Sequence, residues 1–333
     1  MKFHFEFTIP KSANPIRYGS RNLLIGSCFT EHIGEKLRYH KFQVLENPHG
    51  ILFNPESVAE AITDYIDQRV YTTADLFQLN ETWHSWKHHS RFSGITPEAS
   101  VQKINTSIEE AHQHILHADN ILITLGSAWT YQLTDKAPLY QPNKVAANNH
   151  KAPADWFKKH LMTYEEVLQV LDNMLHRIFY TNPHANIIFT ISPVRHLREG
   201  VVENNRSKAV LIQAVHHLVD KFEQLYYFPA YELVIDDLRD YRFYAEDLVH
   251  PNYQATQYVW EKFTDACLDP AAHTMMKEIA SIQLAVKHRP FNPETAMHKK
   301  FLEQNLQKAT TLQAQYPYLD LQQEISFFQQ ALA

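Results

Sequence analysis

Continuous apolar runs, rather than alternating ones, recur along the chain. Four are nearly all apolar and one is weaker; in chain order they are Leu23-Leu24-Ile25, Phe42–Leu45 (the weaker one), Ile121–Leu125, Ile187–Ile191 and Leu233-Val234-Ile235. Runs that are apolar at every position are typical of strands buried on both faces, as in a parallel sheet covered by helices. We therefore expect these runs to form one parallel sheet.

Stretches with apolar spacing near the helical period separate the expected strands. They cover residues 30–41, 55–68, 101–117, 163–180 and 207–226. Thr163 followed by Glu166 three residues later forms the pattern of a capping box, which marks a helix start. Strands that alternate with helices predict a doubly wound α/β sheet.

The composition changes after about Leu268. Residues 269–333 are rich in Gln, Ala, Lys and Glu, contain no expected strand and are interrupted at Pro290, Pro293 and Pro317. We therefore predict two domains, an α/β domain over residues 1–268 and a helical C-terminal extension over residues 269–333. The extension could pack on the α/β domain or join copies of the chain in a homo-oligomer, and the sequence leaves both open.

Composition and charge narrow the choice of partner. The chain has 333 residues, is 44% hydrophobic and carries a formal net charge of −6, which gives no electrostatic reason to expect nucleic acid or an anionic membrane as partner. No window approaches the ~20 apolar residues that span a bilayer. Residues 1–15 contain Glu6 and Pro10 and lack the apolar run of a signal peptide. With only two cysteines, a cytoplasmic protein is expected.

Polar and glycine-containing segments follow each expected strand. In chain order these segments are Gly26-Ser27-Cys28, Asn47–Gly50, Gly126–Trp129, Ser192–His196 and Asp236-Asp237, the last followed by Asp247–Pro251. In open α/β sheets, ligands bind at the carboxyl ends of the strands. The sequence therefore predicts an active site where these segments converge.

Two of these segments carry side chains suited to nucleophilic catalysis. Ser27 and Cys28 stand between a strand and a helix, where free N–H groups and the helix dipole lower a thiol pKa and hold an oxyanion. A tight turn with Ser27 as N-cap and a buried Cys28 explains the same residues without catalysis. Asp247, three residues before His250, could orient the imidazole as a general base, although an Asp beside a surface His is a common pairing.

The joint pattern resembles a known family. Gly26-Ser27-Cys28-Phe29, NPHGILFNP (47–55), TLGSAW (124–129), SPVRH (192–196) and the DxxHP segment at 247–251 are similar to the GSCFA family of the SGNH-hydrolase (GDSL-like) superfamily. The resemblance implies a flavodoxin-like three-layer α/β/α sandwich with a five-stranded parallel sheet. It also implies a nucleophile–His–Asp site with oxyanion donors from the nucleophile loop, a glycine and an asparagine.

The chain departs from the superfamily pattern at two positions. Aligning G-S-C-F with G-D-S-L places Cys28, and not Ser27, at the nucleophile, and a shift of one residue would restore Ser27. Ala128 stands where the oxyanion asparagine is expected. Loss of such a donor costs about 10²–10³ in rate in other enzymes. Asn54, Asn47 or Ser127 could replace it, or the backbone N–H groups of Cys28 and Gly50 could suffice, with Gly126 beside them.

Other polar residues have two interpretations each. His89 and Arg91 could contact a polar substrate from the aromatic segment 83–92, or simply pack there. His84 and His88 have the spacing of zinc ligands if that segment is helical, but we expect neither a metal nor another cofactor. Arg195 could grip a carboxylate or phosphate, or pair with Asp236 or Asp237. For Asn204, Asn205 and Ser207, which follow Gly200, helix capping is the safer interpretation.

Three functions are compatible with these observations. The first is an esterase or acyltransferase that acts on a small acylated or sugar-like substrate through Cys28 or Ser27, His250 and Asp247. The alternative is a non-catalytic module that keeps the fold and binds a ligand, which Ala128 favours. The third gives residues 269–333 a role in assembly.

Overall fold

The computed structural model describes residues 5–333. Residues 1–4, the first part of the segment for which no signal peptide is expected, lie outside the described residues. Nine strands form in this part of the chain: β1 (Arg21–Gly26), β2 (Gln43–Glu46), β3 (Phe77–Leu79), β4 (Thr82–His84), β5 (Asn120–Leu125), β6 (Trp129–Leu133), β7 (Phe157–Leu161), β8 (Asn186–Ile191) and β9 (Leu225–Tyr227). Five of them build a parallel sheet in the order β2-β1-β5-β8-β9, while β3-β4 and β6-β7 are antiparallel hairpins. This is the flavodoxin-like order, and the predicted fold class is confirmed.

The helices follow the strands as in a doubly wound fold. They are α1 (Cys28–Tyr39), α2 (Pro55–Ile66), α3 (Pro97–Ile115), α4 (Tyr164–Thr181), α5 (Val201–Lys221), the short α6 (Ala230–Glu232), α7 (Tyr253–Cys267), α8 (Ala272–Lys287), α9 (Ala296–Gln315) and α10 (Gln322–Leu332). The predicted capping box of Thr163 and Glu166 is present at the start of α4. Across residues 5–333, no helix combines the length and apolarity needed to cross a membrane.

Two hydrophobic cores cover the two faces of the sheet. Side chains alternate across a strand, so Leu23 and Ile25 face one core, with α2, α4 and α5, while Leu24 faces the other, with α1 and α7. Because both faces are covered, every residue of β5 is buried. The all-apolar runs in the sequence follow from this arrangement.

One predicted strand is wrong. Leu233-Val234-Ile235 belongs to a turn of π-helix over Leu233–Asp237, and the fifth strand of the sheet is β9. Short apolar runs do not distinguish a strand from a buried helical turn. β9 is a short edge strand in which Leu225 alone is buried and the other two residues are half-buried tyrosines, so it lacks an aliphatic run. Its first two residues fall at the end of the predicted helix 207–226.

The C-terminal extension is helical and has its own core. α8, α9 and α10 bury residues such as Leu302, Leu312 and Phe328 against one another. The extension also contacts the α/β domain, since the ammonium of Lys41 lies 2.7 Å from a carboxylate oxygen of Glu324. The helices therefore pack on the α/β domain, and the homo-oligomer stays a prediction.

Candidate functional site

A glycine ends β1 because no side chain fits there. Gly26 has a φ of +143°, and a Cβ at this position would lie 2.2 Å from the carbonyl oxygen of Thr124 on β5. Its N–H donates to the side-chain oxygen of Asn47 at 2.8 Å, which ties the loop after β2 to the end of β1. The chain therefore turns sharply into α1 beside the ends of β2 and β5.

The two candidate nucleophiles at this turn have different environments. Ser27 is fully buried and is the N-cap of α1, where its hydroxyl accepts the N–H of Phe29 at 3.4 Å. Cys28 is the first residue of α1 and is partly exposed. Of the two side chains, the thiol is therefore the one that a substrate can reach.

The expectation of a lowered Cys28 pKa is wrong. Burial and then the Glu31 carboxylate raise the pKa of the thiol, and they outweigh the backbone N–H groups of Phe29 and Cys28 and the ammonium of Lys208, which lower it. The helix N-terminus thus acts as expected, but desolvation is stronger. The thiol is protonated at rest, so its activation requires a base.

Asp247 and His250 form the expected pair. The imidazole Nδ1 of His250 lies 2.7 Å from a carboxylate oxygen of Asp247, and the N–H groups of Val249 and His250 donate to the other oxygen at 2.9 and 3.0 Å. These bonds, first of all the His250 N–H, lower the Asp247 pKa to about 2. An ionised carboxylate only accepts, so Nδ1 carries the proton and Nε2 is left as the basic nitrogen.

His250 lies near the start of α1. Its charge contributes to lowering the pKa of His32, one helical turn beyond Cys28, and of His196 after β8. Its side chain is 49% exposed. The imidazole therefore stands at the solvent-facing edge of the region where α1 and the loop after β8 meet.

A cavity of about 470 Å³ opens at the carboxyl ends of β5 and β8. Three of the predicted binding residues, Asn54, Ser127 and Arg195, line it together with His196 and Val249. Aromatic side chains form another part of the wall. The predicted convergence of the loops after the second, third and fourth sheet strands is therefore present.

Backbone N–H groups expected to bind an oxyanion are already bonded. Gly50 donates to the carbonyl of Asn47 at 2.7 Å, and Gly126 and Ser127 donate to the carbonyl of Phe53 at 2.8 and 3.0 Å. The Ser127 hydroxyl accepts the N–H of Trp129 at 3.1 Å and shares a hydrogen bond with the hydroxyl of Ser207 at 3.2 Å. These contacts shape the loops, and in this conformation none of the three backbone N–H groups is free for a substrate oxygen.

Two asparagines were candidates to replace the missing oxyanion donor. The Asn54 side-chain oxygen caps α2 by accepting the N–H of Ser57 at 2.8 Å, and its amide nitrogen forms no hydrogen bond within residues 5–333. The amide nitrogen of Asn47 is also without a partner there, but it is buried behind Gly26. Asn54 is therefore the better placed donor, because it lines the cavity.

The sequence analysis missed a buried lysine. Lys208, on α5, is 1% exposed, and its ammonium donates to the carbonyls of Gly126 at 2.7 Å and Ser192 at 2.6 Å. Burial lowers its pKa to about 7, and negative charge on Cys28, when the thiol is ionised, would oppose this shift. Lys208 thus joins the ends of β5 and β8 next to Cys28. In the sequence it looks like one more polar residue of an amphipathic helix.

His196 lies in a segment that the sequence places at the site, but no role for its ring was predicted. Burial, and then the charges of Lys208 and His250, lower its pKa to about 3, so the ring is neutral. Its Nε2 is buried without a hydrogen-bond partner in the described part of the chain and faces Gly126, where an added Cβ would lie 3.0 Å away. The ring therefore borders the cavity as an uncharged wall.

The capping interpretation of Asn204 and Ser207 is wrong. α5 begins at Val201, so both residues lie inside the helix. The hydroxyl of Ser207 accepts the N–H of Ala128 at 2.7 Å, and the side-chain oxygen of Asn204 accepts the N–H of His196 at 2.9 Å. They hold the loops after β5 and β8 in place.

The histidine-rich segment is a packed structure. His84 ends a strand, so the helical spacing assumed for zinc is wrong, and its ring is bonded to Ser93 at 2.7 Å. His88 is buried and stacks on His49 with ring centroids 4.0 Å apart. His89 packs on Gly50, outside the cavity lining. Throughout residues 5–333, no group of three or more His, Cys, Asp or Glu side chains is arranged to hold a metal ion.

Arg195 is held by aromatic rings. Its guanidinium carbon lies 4.4 Å from the ring centroid of Tyr244 and 5.2 Å from that of Tyr241. Asp236, one of the acids expected to pair with it, lies 3.9 Å from Arg239 instead. The orientation of Arg195 thus comes from ring faces at the cavity.

Comparisons with known proteins agree on the family. The GSCFA family model matches residues 21–263, and the model described as GSCFA domain protein, C-terminal domain, matches residues 279–333. A comparison with curated proteins found no match. Among solved structures, a Streptococcus pneumonia protein named for platelet activating factor is 14% identical with a TM-score of 0.38, covering 74% of this chain and 83% of that one.

A second solved structure is similarly distant. It is an acetyl xylan esterase from the rumen bacterium Butyrivibrio proteoclasticus, 10% identical with a TM-score of 0.37, and the match covers 75% of this chain and 64% of that one. At these scores, neither structure indicates what this chain acts on.

Proposed function

Because the chain belongs to the GSCFA family, we propose that it is an esterase or acyltransferase that uses Cys28, His250 and Asp247. The observation that carries the proposal is the 2.7 Å bond between His250 and an ionised Asp247, because it leaves Nε2 of the imidazole as a base. A thiol whose pKa is raised needs such a base. The substrate is a small acyl ester.

The proposed reaction runs in two steps. The Nε2 of His250 takes the thiol proton, and the sulfur of Cys28 attacks the acyl carbonyl carbon, whose electron pair moves to the oxygen. The tetrahedral species collapses, the alcohol leaves with the proton from His250, and a thioester remains on Cys28. Water or an acceptor alcohol, deprotonated by His250, then attacks the thioester carbonyl. The C–S bond breaks, the acid or the new ester leaves, and the sulfur takes the proton back from His250.

The oxyanion of this reaction has two candidate donors. The backbone N–H of Cys28 has no carbonyl partner in the described residues, and the helix dipole favours an oxyanion there. Asn54 lines the cavity, which includes no residue of α1, so its amide would donate to the substrate oxygen from the cavity side. Asn54 would thereby compensate for Ala128.

Ester turnover by matched variants tests the proposal. With p-nitrophenyl acetate as substrate, Cys28→Ala and His250→Ala should each lower kcat/KM by about a hundredfold or more, since a general base alone contributes 10²–10⁴. Cys267→Ala and His176→Ala are the controls, because Cys267 lies in the core and His176 is exposed on α4. Equal turnover in wild type and in both site variants would refute the proposal.

A binding module is the second candidate. The observation that favours it is that the N–H groups of Gly126 and Ser127 are already bonded, with Ala128 beside them. This candidate predicts no turnover that depends on Cys28, but ligand-induced stabilisation that survives His250→Ala.

A further inference from the structure

The cavity beside Asn54 carries a local excess of positive charge. Of the charged side chains that line it, Arg195 and Arg198 are positive and Glu199 is negative. Glu199 is already paired with the ammonium of Lys159 and accepts the hydroxyl of Tyr131 at 2.7 Å. Neither arginine forms an ion pair within 4.0 Å in residues 5–333. Arg198 interacts electrostatically with Glu199, but Lys159 shares that carboxylate, so the cavity keeps an excess of positive charge.

Ring faces hold both arginines in place. Arg195 lies over Tyr244 and Tyr241, and the guanidinium carbon of Arg198 lies 5.2 Å from the centroid of Tyr131. Each guanidinium also shares a hydrogen bond with a tyrosine hydroxyl, Arg195 with Tyr241 and Arg198 with Tyr131. A guanidinium has five N–H donors, so others remain available to a ligand. Two oriented donor edges at one cavity are the arrangement that binds a carboxylate or phosphate in a bidentate manner.

The neutral groups of the cavity are also donors. The indole N–H of Trp129 is buried and has no acceptor in the described residues. The side-chain oxygen of Asn148 accepts the N–H of His150 at 2.8 Å, which leaves its amide hydrogens as donors. Buried donors are normally paired, so this cavity lacks acceptors that a ligand would bring.

We propose that the cavity binds the anionic part of the substrate, a carboxylate or phosphate, through Arg195 and Arg198. The inference rests on the proposed function for what happens to the substrate, but the anion site itself needs no turnover. If the site binds this anionic part, the natural substrate is an acyl ester whose alcohol or acyl portion carries a negative charge.

Binding to the His250→Ala protein tests the site separately from catalysis. The probes are matched pairs: D-glucuronate against D-glucuronamide for the carboxylate, and glycerol phosphate against glycerol for the phosphate. Titration calorimetry at low ionic strength should show at least one anion binding roughly tenfold or more tighter than its neutral partner. This preference should shrink as salt is added.

The arginine variants locate the binding. Arg195→Gln with Arg198→Gln should abolish the preference for the anion, and Arg198→Gln alone, which alters an exposed residue, should reduce it even if the double variant folds poorly. Arg206→Gln is the control, since Arg206 is exposed on α5 and paired with Glu203 at 2.9 Å. Equal binding of charged and neutral probes, no binding of either anion, or a preference that survives both substitutions would overturn the proposal.

Discussion

Replacing Lys208 by methionine tests how the site is built. Lys208→Met keeps the length of the side chain but removes the donors to the carbonyls of Gly126 and Ser192. A buried carbonyl left unpaired costs about 1–3 kcal/mol, so two of them cost about 2–6 kcal/mol at a pH where the amine is neutral. The ends of β5 and β8 also lose the group that joins them.

The hydrogen bonds of Lys208 stabilise the folded protein, whereas the burial of its positive charge destabilises it by an amount that depends on pH. Burial lowers the pKa of Lys208 to about 7, whereas an unfolded lysine keeps its proton up to about 10.4. Between these values the unfolded chain binds more protons than the folded one, so stability rises with pH, by about 1.4 kcal/mol per unit. Below about pH 7 the buried ammonium destabilises the folded wild-type protein by its full amount, and Lys208→Met has no such destabilisation.

Urea unfolding of both proteins, followed by circular dichroism, measures this difference. From about pH 7 to about pH 9 the wild type should gain about 2 kcal/mol relative to Lys208→Met. Lys221→Met, at the exposed end of the same helix and paired with Asp172 at 2.6 Å, should show no such gain. If wild type and Lys208→Met change in parallel with pH, the amine is not buried as described.

Three further substitutions probe the loops and the core. Gly26→Ala places a Cβ 2.2 Å from a carbonyl of β5, so we expect the free energy of unfolding to fall by several kcal/mol or the protein to be insoluble. At Gly200 an added Cβ meets no atom within 4 Å, so Gly200→Ala should lower the free energy of unfolding by only about 1 kcal/mol, from backbone strain. Ser207→Ala leaves the buried N–H of Ala128 unpaired and should cost about 1–3 kcal/mol in urea unfolding. Burial holds the pKa of His88 well below 6.5, so the wild type should lose stability as pH falls below about 6.5, and His88→Gln should lose less. Equal unfolding free energies for wild type and Gly26→Ala or Ser207→Ala, or the same pH dependence of stability for wild type and His88→Gln, would contradict the burial and contacts described above.

The sequence predicts the sheet centre better than its edge. β1, β5 and β8 are covered on both faces and therefore form runs of aliphatic residues, while β9 is half-buried and has two tyrosines in place of such a run. The apolar turn at Leu233 imitates a strand because it is buried equally well. A short apolar run therefore predicts that a segment is buried, but not whether it is a strand or a helical turn.

The candidate site is predictable where its contacts are local. Asp247 and His250 meet because three residues separate them, and Ser27 caps the helix that follows it. Lys208 bonds carbonyls 82 and 16 residues away, and such distant partners leave no local pattern. The Cys28 pKa depends on burial and Glu31, so position at a helix start alone gave the wrong direction.

Acyl transfer as proposed above requires that His250 activates the thiol of Cys28. The most direct measurement is labelling by an activated acyl ester, followed by peptide mass spectrometry, in wild type and His250→Ala. We expect a rapid acyl adduct on Cys28 that His250→Ala abolishes, with Cys267 unlabelled in both proteins because it is buried. An adduct on Ser27, or labelling of Cys28 that is equally slow in both proteins, would contradict the proposal.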